Sequence, residues 1–485
     1  MNLGGDGAPW WTLDAVGFKT DDFSLHETGC AELHQCHKEG DTPKMLWPTN
    51  YWKLATATMF SLFFAGDEFA PNQKVGGTDE TFQAFLQRHY LNYLDIVAYT
   101  VKDKVNVIGF GTMNEPSSGL IGVLDLNESN APAPFGHVLS GFESMRLGSG
   151  EAIPAAYYSA PFVYKNTETL NPRHTSVWKS PDLDVWRQAG VYEIDDEGKR
   201  NLLRPHHFAL EDDYMVKFMK PFYEAVHKVT SKHNTKFVTF AEPHFDSTNP
   251  FVEAPDGLDV NSFAFGPHFY DFLTLIAKSF NRWIGIDIEL EVPVFSPLFI
   301  DWAFRRNLKR IKQAGKSKIY VLLGETGIPF DMGPHVDYDG ALNRTLKAVE
   351  ANDLDYTLWC YNPYNTALHG DEWNGENLSI RTEGSNRGIS SAVRPFAYQY
   401  SLNSHINSQH FNPFTQRYEL QMIFDQDVDS ECTVDIYIPT CHFVKPDFSV
   451  SSGNVKYDKQ TQRLEWKITE YSSSSPQSLQ VRNAA

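Results

Sequence analysis

Short apolar runs rich in β-branched residues recur through the middle of the chain, and small or polar residues follow each run. This pattern is typical of strands that are buried on both faces of a parallel sheet. Five such strands are predicted, at Val105–Met113, Lys236–Ala241, Ser262–Pro267, Lys318–Gly324 and Tyr356–Tyr361. Segments with helical spacing separate them, at Tyr214–His233, Phe272–Phe280, Pro297–Gln313 and Gly340–Ala351. The repeating β-then-α order predicts a parallel α/β fold.

Polar and charged residues directly follow these predicted strands. They are Asn114 and Glu115, Glu242, the run from His268 to Asp271, Glu325 and Asn362. The carboxyl ends of the strands of a (β/α)8 TIM barrel converge on one face, where such enzymes place their chemistry. An open doubly wound sheet is the alternative, but neither of its Gly-rich phosphate motifs, GxGxxG or GxxxxGK[ST], occurs in the chain. The pattern therefore favours a barrel.

The first hundred residues carry helical patterns around Tyr51–Phe64 and Asp79–Lys102 but no clear strand. A barrel needs eight strands and five are visible, so we expect the first three βα units to be missing from this chain. A barrel without them would expose sheet edges and apolar surface. We therefore expect the chain as written to fold poorly or to be inactive, which soluble, monomeric protein with steady turnover would contradict.

Two further regions complete the predicted organisation. Residues 117–210 are rich in Gly, Pro and Ser without clear periodicity, and we interpret them as a long insertion in a barrel domain spanning 1–395. Insertions of this length often carry binding loops, and a rim over the active site is our hypothesis. Residues 396–485 show alternating apolar and polar positions, which predict a small C-terminal antiparallel β-sandwich domain. Its strands are expected at Tyr418–Phe424, Cys432–Ile438, Asn454–Tyr457 and Arg463–Ile468.

The composition excludes several classes of protein. A formal charge of −19 disfavours both nucleic acid and an anionic membrane surface as the main partner, because both select basic surfaces. Five cysteines in 485 residues do not form a disulfide framework, and with no signal peptide visible they predict a cytoplasmic or vacuolar location. The cluster Cys30, His34, Cys36 and His37 matches no common zinc spacing, so we expect neither a metal nor a cofactor.

Two strand-end glutamates satisfy the needs of glycoside hydrolysis with retention, which uses two carboxyl groups about 5 Å apart. Glu115 in MNEP is the predicted acid/base, and Asn114 beside it offers an amide for a sugar 2-hydroxyl. Glu325 in GETG is the predicted nucleophile, and Gly324 and Gly327 beside it leave room for a substrate to approach the backbone. Glu242 lacks a preceding Asn, which favours a structural or substrate-rim role over a catalytic one.

Further candidates for substrate binding follow other strands. His268 and Tyr270 (GPHFYD) could orient the nucleophile and keep it ionised, although a buried structural histidine is an open alternative. Trp359 could form the apolar floor beneath a pyranose ring, or it could be a plain core aromatic. Asn374 and Glu376 in GDEWNGENL could reach sugar hydroxyls, with a solvated loop as the equal alternative.

The segments GGDGAPWWTL, FGTMNEPSSG, GPHFYD, LLGETGIPFDM, LWCYNP and VRPFAYQY make the chain similar to glycoside hydrolase family 5. Within it, the chain resembles the fungal endoglycoceramidase-related group of glucosylceramidases and steryl-β-glucosidases. The resemblance implies Glu115 as acid/base, Glu325 as nucleophile with Tyr270 beside it, and Trp359 at the sugar floor. It also implies a β-linked glucose on a ceramide or a sterol, transient contact with a membrane and no obligate protein partner.

Two other functions stay open at this point. A non-catalytic remnant that binds glycolipid would use the same cleft without turnover. An endoglucanase-like enzyme of the same family would act on a soluble polysaccharide. A hydrophobic groove beyond the scissile bond would favour the lipid substrate over the polysaccharide.

Overall fold

The computed structural model describes residues 8–20, 24–32, 47–129, 134–160, 162–210, 214–233, 236–244, 257–290, 292–314, 319–372, 375–401, 403–425, 431–469, 473 and 475–484. The chain divides into two compact units. The first unit comprises Met1–His268 with Gly315–Tyr320 and Leu368–Glu376, and the second comprises Phe269–Ala314, Val321–Ala367 and Asn377–Ala485.

The first unit combines long helices with short strands. Its α-helices are α1 (Trp10–Val16), α2 (Ser24–Glu27), α3 (Leu54–Phe69), α4 (Phe82–Val101), α5 (Gly141–Gly148), α6 (Val185–Gln188) and α7 (Tyr214–His233). Its strands are β1 (Gly109–Gly111), β2 (Gly136–Val138), β3 (Ile153–Ala160), β4 (Val163–Leu170), β5 (Tyr192–Ile194), β6 (Arg200–Leu202), β7 (Val238–Ala241) and β8 (Phe263–Phe265). Short 3-10 turns lie at Trp47–Trp52, Pro181–Leu183 and Val260–Ser262.

Helix α3 forms the centre of the first unit because it is apolar on nearly every face, and almost all of its residues are buried. It packs against α4, α5 and α7. Strands β1, β7 and β8 pair in parallel, with Phe110 opposite Thr239 and Phe240 opposite Ala264. These elements confirm the predicted strands at 105–113, 236–241 and 262–267 and the predicted helices in this half of the chain.

Residues 117–210 are more regular than their sequence suggested. Strands β2, β3 and β4 form an antiparallel sheet, and β5 pairs with β6 in a hairpin. Helix α5 begins with a capping box, in which the Ser140 hydroxyl accepts from the Glu143 N–H and the Glu143 carboxylate accepts from the Ser140 N–H. These elements were not predicted, because most of their strands are short. Strand β4 is longer, but both of its faces are exposed, so apolar and polar residues do not alternate along it.

The second unit begins with α8 (Phe272–Ala277), β9 (Ile284–Asp287), β10 (Val292–Phe295), α9 (Pro297–Ala314), β11 (Tyr320–Thr326), α10 (Tyr338–Ala351) and β12 (Asp355–Leu358). Strands β11 and β12 pair in parallel, with Leu322 opposite Asp355. The remaining predicted strands and helices are thereby confirmed. Helix α8 ends earlier than predicted, because Lys278 adopts a left-handed conformation. The antiparallel β9–β10 hairpin was not predicted.

The C-terminal part of the second unit contains β13 (Arg381–Thr382), β14 (Ser385–Asn386), α11 (Ile389–Ala392), β15 (Phe396–Gln399), β16 (Ser404–Asn412), β17 (Arg417–Phe424), β18 (Cys432–Tyr437), β19 (Pro446–Val450), β20 (Asn454–Asp458), β21 (Arg463–Ile468) and β22 (Gln477–Asn483). Two antiparallel sheets result, in the orders β15-β18-β21-β20 and β16-β17-β22-β19. Tyr418 and Trp466 are completely buried in the hydrophobic core of these strands. This arrangement confirms the predicted C-terminal β-domain.

Candidate functional site

Glu115 occupies an unusual backbone position just after β1. Its φ of 41° lies in the left-handed region, which a residue with a side chain seldom adopts. Two contacts hold it there: its N–H donates to Glu242 Oε2 at 3.0 Å, and its carbonyl accepts from the Tyr51 hydroxyl at 3.0 Å. The backbone of the predicted acid/base is therefore fixed from both sides.

The carboxylate of Glu115 contacts an imidazole that itself faces a second carboxylate. His268 Nδ1 lies 2.9 Å from Glu115 Oε1, and His268 Nε2 lies 3.4 Å from Glu242 Oε2. All three side chains are at most 16% exposed, so water weakens these interactions little. The structure thus brings the predicted residues Glu115 and His268 together, and Glu242 joins them on the other side of the imidazole.

Further hydrogen bonds fix the position of Glu242. Its N–H donates to Thr112 Oγ1 at 3.0 Å, and the Thr112 carbonyl accepts from the Tyr90 hydroxyl at 2.8 Å. Burial, reinforced by the charge of Glu242, raises the pKa of Tyr90, so this hydroxyl stays a donor. Sequence analysis did not single out Tyr51 or Tyr90, because both lie on helical segments and carry no strand-end signal.

In the second unit, Glu325 lies near the end of β11. The Tyr270 hydroxyl donates to Glu325 Oε2 at 2.9 Å, and the Phe269 N–H donates to the Glu325 carbonyl at 3.0 Å. The predicted residues Tyr270 and Glu325 are therefore in contact. A phenol that donates to a carboxylate favours the ionised carboxylate.

Asp271 anchors the segment that carries Tyr270. It is buried and caps α8, where its Oδ2 accepts from the Thr274 hydroxyl at 2.7 Å. The same oxygen accepts from Arg344 Nη1 at 3.0 Å, and the Arg344 guanidinium stacks over Phe280 at 4.4 Å. A buried, charge-assisted network of this kind restricts the backbone next to Tyr270.

Trp359 lies beside the strand that carries Glu325, since its N–H donates to the Thr326 carbonyl at 2.8 Å. Its side chain is 37% exposed, which makes it accessible to a ligand. A Cβ at Gly327 would come within 2.0 Å of the Trp359 carbonyl oxygen. The neighbouring backbone therefore requires glycine at position 327, whereas the sequence alone suggested that this glycine serves the approach of a substrate.

The other predicted residues are less informative. Asn114 is exposed next to Glu115. Glu376 is buried at 6% exposure, and its carbonyl accepts from the Asp371 N–H at 2.9 Å. Asn374 lies outside the described residues, as do the other members of the cluster around the buried Cys30: His34, Cys36 and His37. Within the described parts of the chain, no helix is both long enough and apolar enough to cross a membrane.

Comparisons with known proteins point to one family. Residues 394–481 match the glycoside hydrolase family 5 C-terminal domain. A glucosylceramidase of Rhizopus delemar is 29% identical over 95% of this chain and 74% of its own length. An ergosteryl-beta-glucosidase of Saccharomyces cerevisiae is 30% identical over 78% of this chain, which spans only 58% of that relative.

A solved structure gives the fold. Sterylglucosidase 1 of Cryptococcus neoformans matches with a TM-score of 0.86 at 24% identity, over 99% of this chain and 79% of that one. The match of the β-domain and the names of the two relatives agree with each other. The chain therefore carries the C-terminal domain of glycoside hydrolase family 5, and over most of its length it is similar to a glucosylceramidase and an ergosteryl-beta-glucosidase.

Proposed function

We propose that this chain hydrolyses the β-glucosidic bond of a glycolipid with retention, using Glu325 as nucleophile and Glu115 as acid/base. The names of the two relatives, a glucosylceramidase and an ergosteryl-beta-glucosidase, support a glucose linked to a lipid. They support a sterol and a ceramide equally as the aglycone. That the parallel strands belong to an eight-stranded barrel whose first three units this chain lacks stays a prediction.

One observation carries the assignment of roles: each glutamate contacts a partner suited to a different protonation state. The Tyr270 hydroxyl donates to Glu325, and a hydrogen-bond donor favours the ionised form of a carboxylate, which is the form that attacks. The imidazole nitrogen beside Glu115 can accept or donate, depending on its tautomer. The imidazole can therefore stay hydrogen-bonded to the Glu115 carboxyl group with or without its proton, which suits the acid/base role.

The reaction follows from these roles. A Glu325 carboxylate oxygen attacks the anomeric carbon while Glu115 donates its proton to the glycosidic oxygen, so the lipid alcohol leaves and a glycosyl ester forms. Glu115 then takes a proton from water, whose oxygen attacks the same carbon and releases Glu325. The exposed amide of Asn114 would hold the 2-hydroxyl, Trp359 would support the ring, and Asn374 and Glu376 would bond other hydroxyls.

The partners of the two glutamates are close to each other along the chain. Only Phe269 separates His268, the partner of Glu115, from Tyr270, the partner of Glu325. The Cα atoms of residues two positions apart lie no more than about 7 Å from each other.

The test is hydrolysis of a chromogenic aryl β-glucoside and of a steryl β-glucoside by the wild type and three variants. Glu325→Gln should abolish turnover, because an amide does not form the glycosyl ester. Glu115→Gln should lower the rate on the steryl glucoside by about 10²–10⁴-fold, since a sterol is a poor leaving group without protonation. Glu419→Gln, at an exposed position of the β-domain, is the matched control and should behave as the wild type.

Equal hydrolysis by the wild type and Glu325→Gln would refute the proposal. Binding of the glycolipid without any turnover would favour the non-catalytic alternative and would agree with the expectation that the chain as it stands is inactive. Faster hydrolysis of a soluble β-glucan than of either glucoside would favour the polysaccharide hydrolase.

A further inference from the structure

A group of large apolar side chains is exposed where the β9–β10 hairpin meets the start of α9. Trp283, Phe295, Leu298, Phe299 and Trp302 form this outer patch, and their exposures range from 57% for Trp302 to 81% for Leu298. Exposed aromatic residues that are clustered in this way mark an interaction surface more often than single exposed ones do.

The patch is held in place by regular structure. Phe295 pairs with Ile284 at the base of the hairpin, and the Ser296 N–H donates to the Trp283 carbonyl at 2.9 Å. Both strands of the hairpin pack against α9. The buried face of α9 carries Ile300, Ala303, Phe304, Asn307 and Leu308, so its exposed apolar residues are additional to those that the fold needs.

The outward face of α9 changes character along its length. Leu298 and Trp302 occupy its first turns, whereas Arg305 and Lys309 follow at helical spacing on the same side. The apolar surface is therefore bordered by cations. Such an arrangement is typical of surfaces that sit in a membrane interface, where aromatic rings enter the headgroup layer and basic residues face it.

The charge of this segment contrasts with that of the whole chain. Residues 278–312 contain seven basic and four acidic residues, a net charge of +3 in a chain of −19. Three of the acids are neutralised locally, in the pairs Asp287–Arg306, Glu289–Arg310 and Asp301–Lys347. Among the described residues, no carboxylate pairs with the exposed Arg282, Arg305 or Lys309, which leaves these cations available to an anionic partner.

We propose that the outer patch docks onto the surface of a phospholipid bilayer that contains anionic lipid. The inference rests on the proposed function for one point only, namely that the substrate resides in a membrane. Topology agrees with it, because a helix that leads into a parallel strand runs antiparallel to that strand. The first turns of α9 thus lie at the carboxyl end of β11, which is the end that carries Glu325.

The test is sedimentation with vesicles of phosphatidylcholine, with and without phosphatidylserine. The triple variant Leu298→Ser, Phe299→Ser, Trp302→Ser should lower the partition coefficient by about 10–100-fold. The double variant Arg305→Gln, Lys309→Gln should lose about tenfold, and only on vesicles that contain phosphatidylserine. The matched control replaces Tyr93, Ile96 and Tyr99, three comparably exposed apolar residues of α4, with serine and should bind as the wild type.

Two activity readouts separate this inference from the proposed function. The triple variant should hydrolyse a soluble aryl β-glucoside as the wild type does, but should lose activity on a steryl glucoside embedded in vesicles. Vesicle binding needs no turnover, so an inactive wild type that still binds would refute the function and leave the docking surface supported. Equal vesicle binding by the triple variant and its control would overturn the docking surface. So would a triple variant that only converts a dimer to a monomer in analytical ultracentrifugation.

Discussion

The buried ion pair between Glu350 of α10 and Arg394 should be essential to the stability of the second unit. The Glu350 carboxylate accepts hydrogen bonds from Arg394 Nε at 2.5 Å, from Arg394 Nη2 at 2.9 Å and from the Phe411 N–H at 3.2 Å. The side chains of Glu350 and Arg394 are at most 7% exposed. Glu350→Ala would leave a guanidinium buried without its counter-charge. Breaking a buried pair in this way costs about 3–5 kcal/mol of unfolding free energy.

Urea denaturation of the wild type and Glu350→Ala measures this loss, and calorimetry should show a melting temperature lowered by roughly 6–20 °C. Asp447→Ala, which breaks the exposed pair with Arg482, is the matched control and should cost less than about 1 kcal/mol. The double variant Glu350→Met, Arg394→Met should be more stable than Glu350→Ala, because it removes both charges. A loss below about 1 kcal/mol in Glu350→Ala, or a double variant less stable than it, would refute the reasoning.

Three further outcomes are expected. Burial raises the pKa of Asp184 from 3.8 to about 6, so the folded protein holds this proton more tightly than the unfolded chain does. The resulting contribution to the free energy of unfolding is fully present below pH 3.8 and is lost as the pH rises through 6. The unfolding free energy of the wild type should therefore fall by about 2.4 kcal/mol relative to Asp184→Asn between pH 4 and pH 7.5, and a constant difference in urea titrations would contradict this. Tyr270→Phe removes a hydrogen bond to the side chain of Glu325 and should lower kcat/KM on an aryl glucoside by about 10–150-fold, so an unchanged value would exclude the assigned contact. Glu242→Ala removes the acceptor that holds the strained backbone of Glu115 and should lower kcat by about tenfold or more. Glu242→Gln keeps an acceptor, so its kcat should fall less. A larger fall in kcat for Glu242→Gln than for Glu242→Ala would count against this positioning role of Glu242.

Much of the fold could be predicted from local pattern. The helix at Tyr214–His233 was predicted to the residue, because its apolar stripe has helical spacing. Strand β21 was predicted equally well from the alternation in Arg463–Ile468. Glu115 and Glu325 could be identified because each lies at the end of a predicted buried strand, and such a strand is recognised from neighbouring residues in the sequence. The β9–β10 hairpin was missed because its exposed valine and phenylalanine give no contrast between two faces.

The interactions that prepare Glu115 could not be predicted in this way. Glu242 and Tyr51 reach its backbone across 127 and 64 residues of chain, at a residue whose φ is left-handed. The contact with Glu242 also depends on the register of β1 against β7. No local pattern encodes a distance between residues so far apart in the chain. The sequence alone thus showed which carboxylates stand at strand ends, because periodicity is local. Which side chains hold and polarise them was decided by the packing of distant segments, because hydrogen-bond geometry exists only after those segments meet.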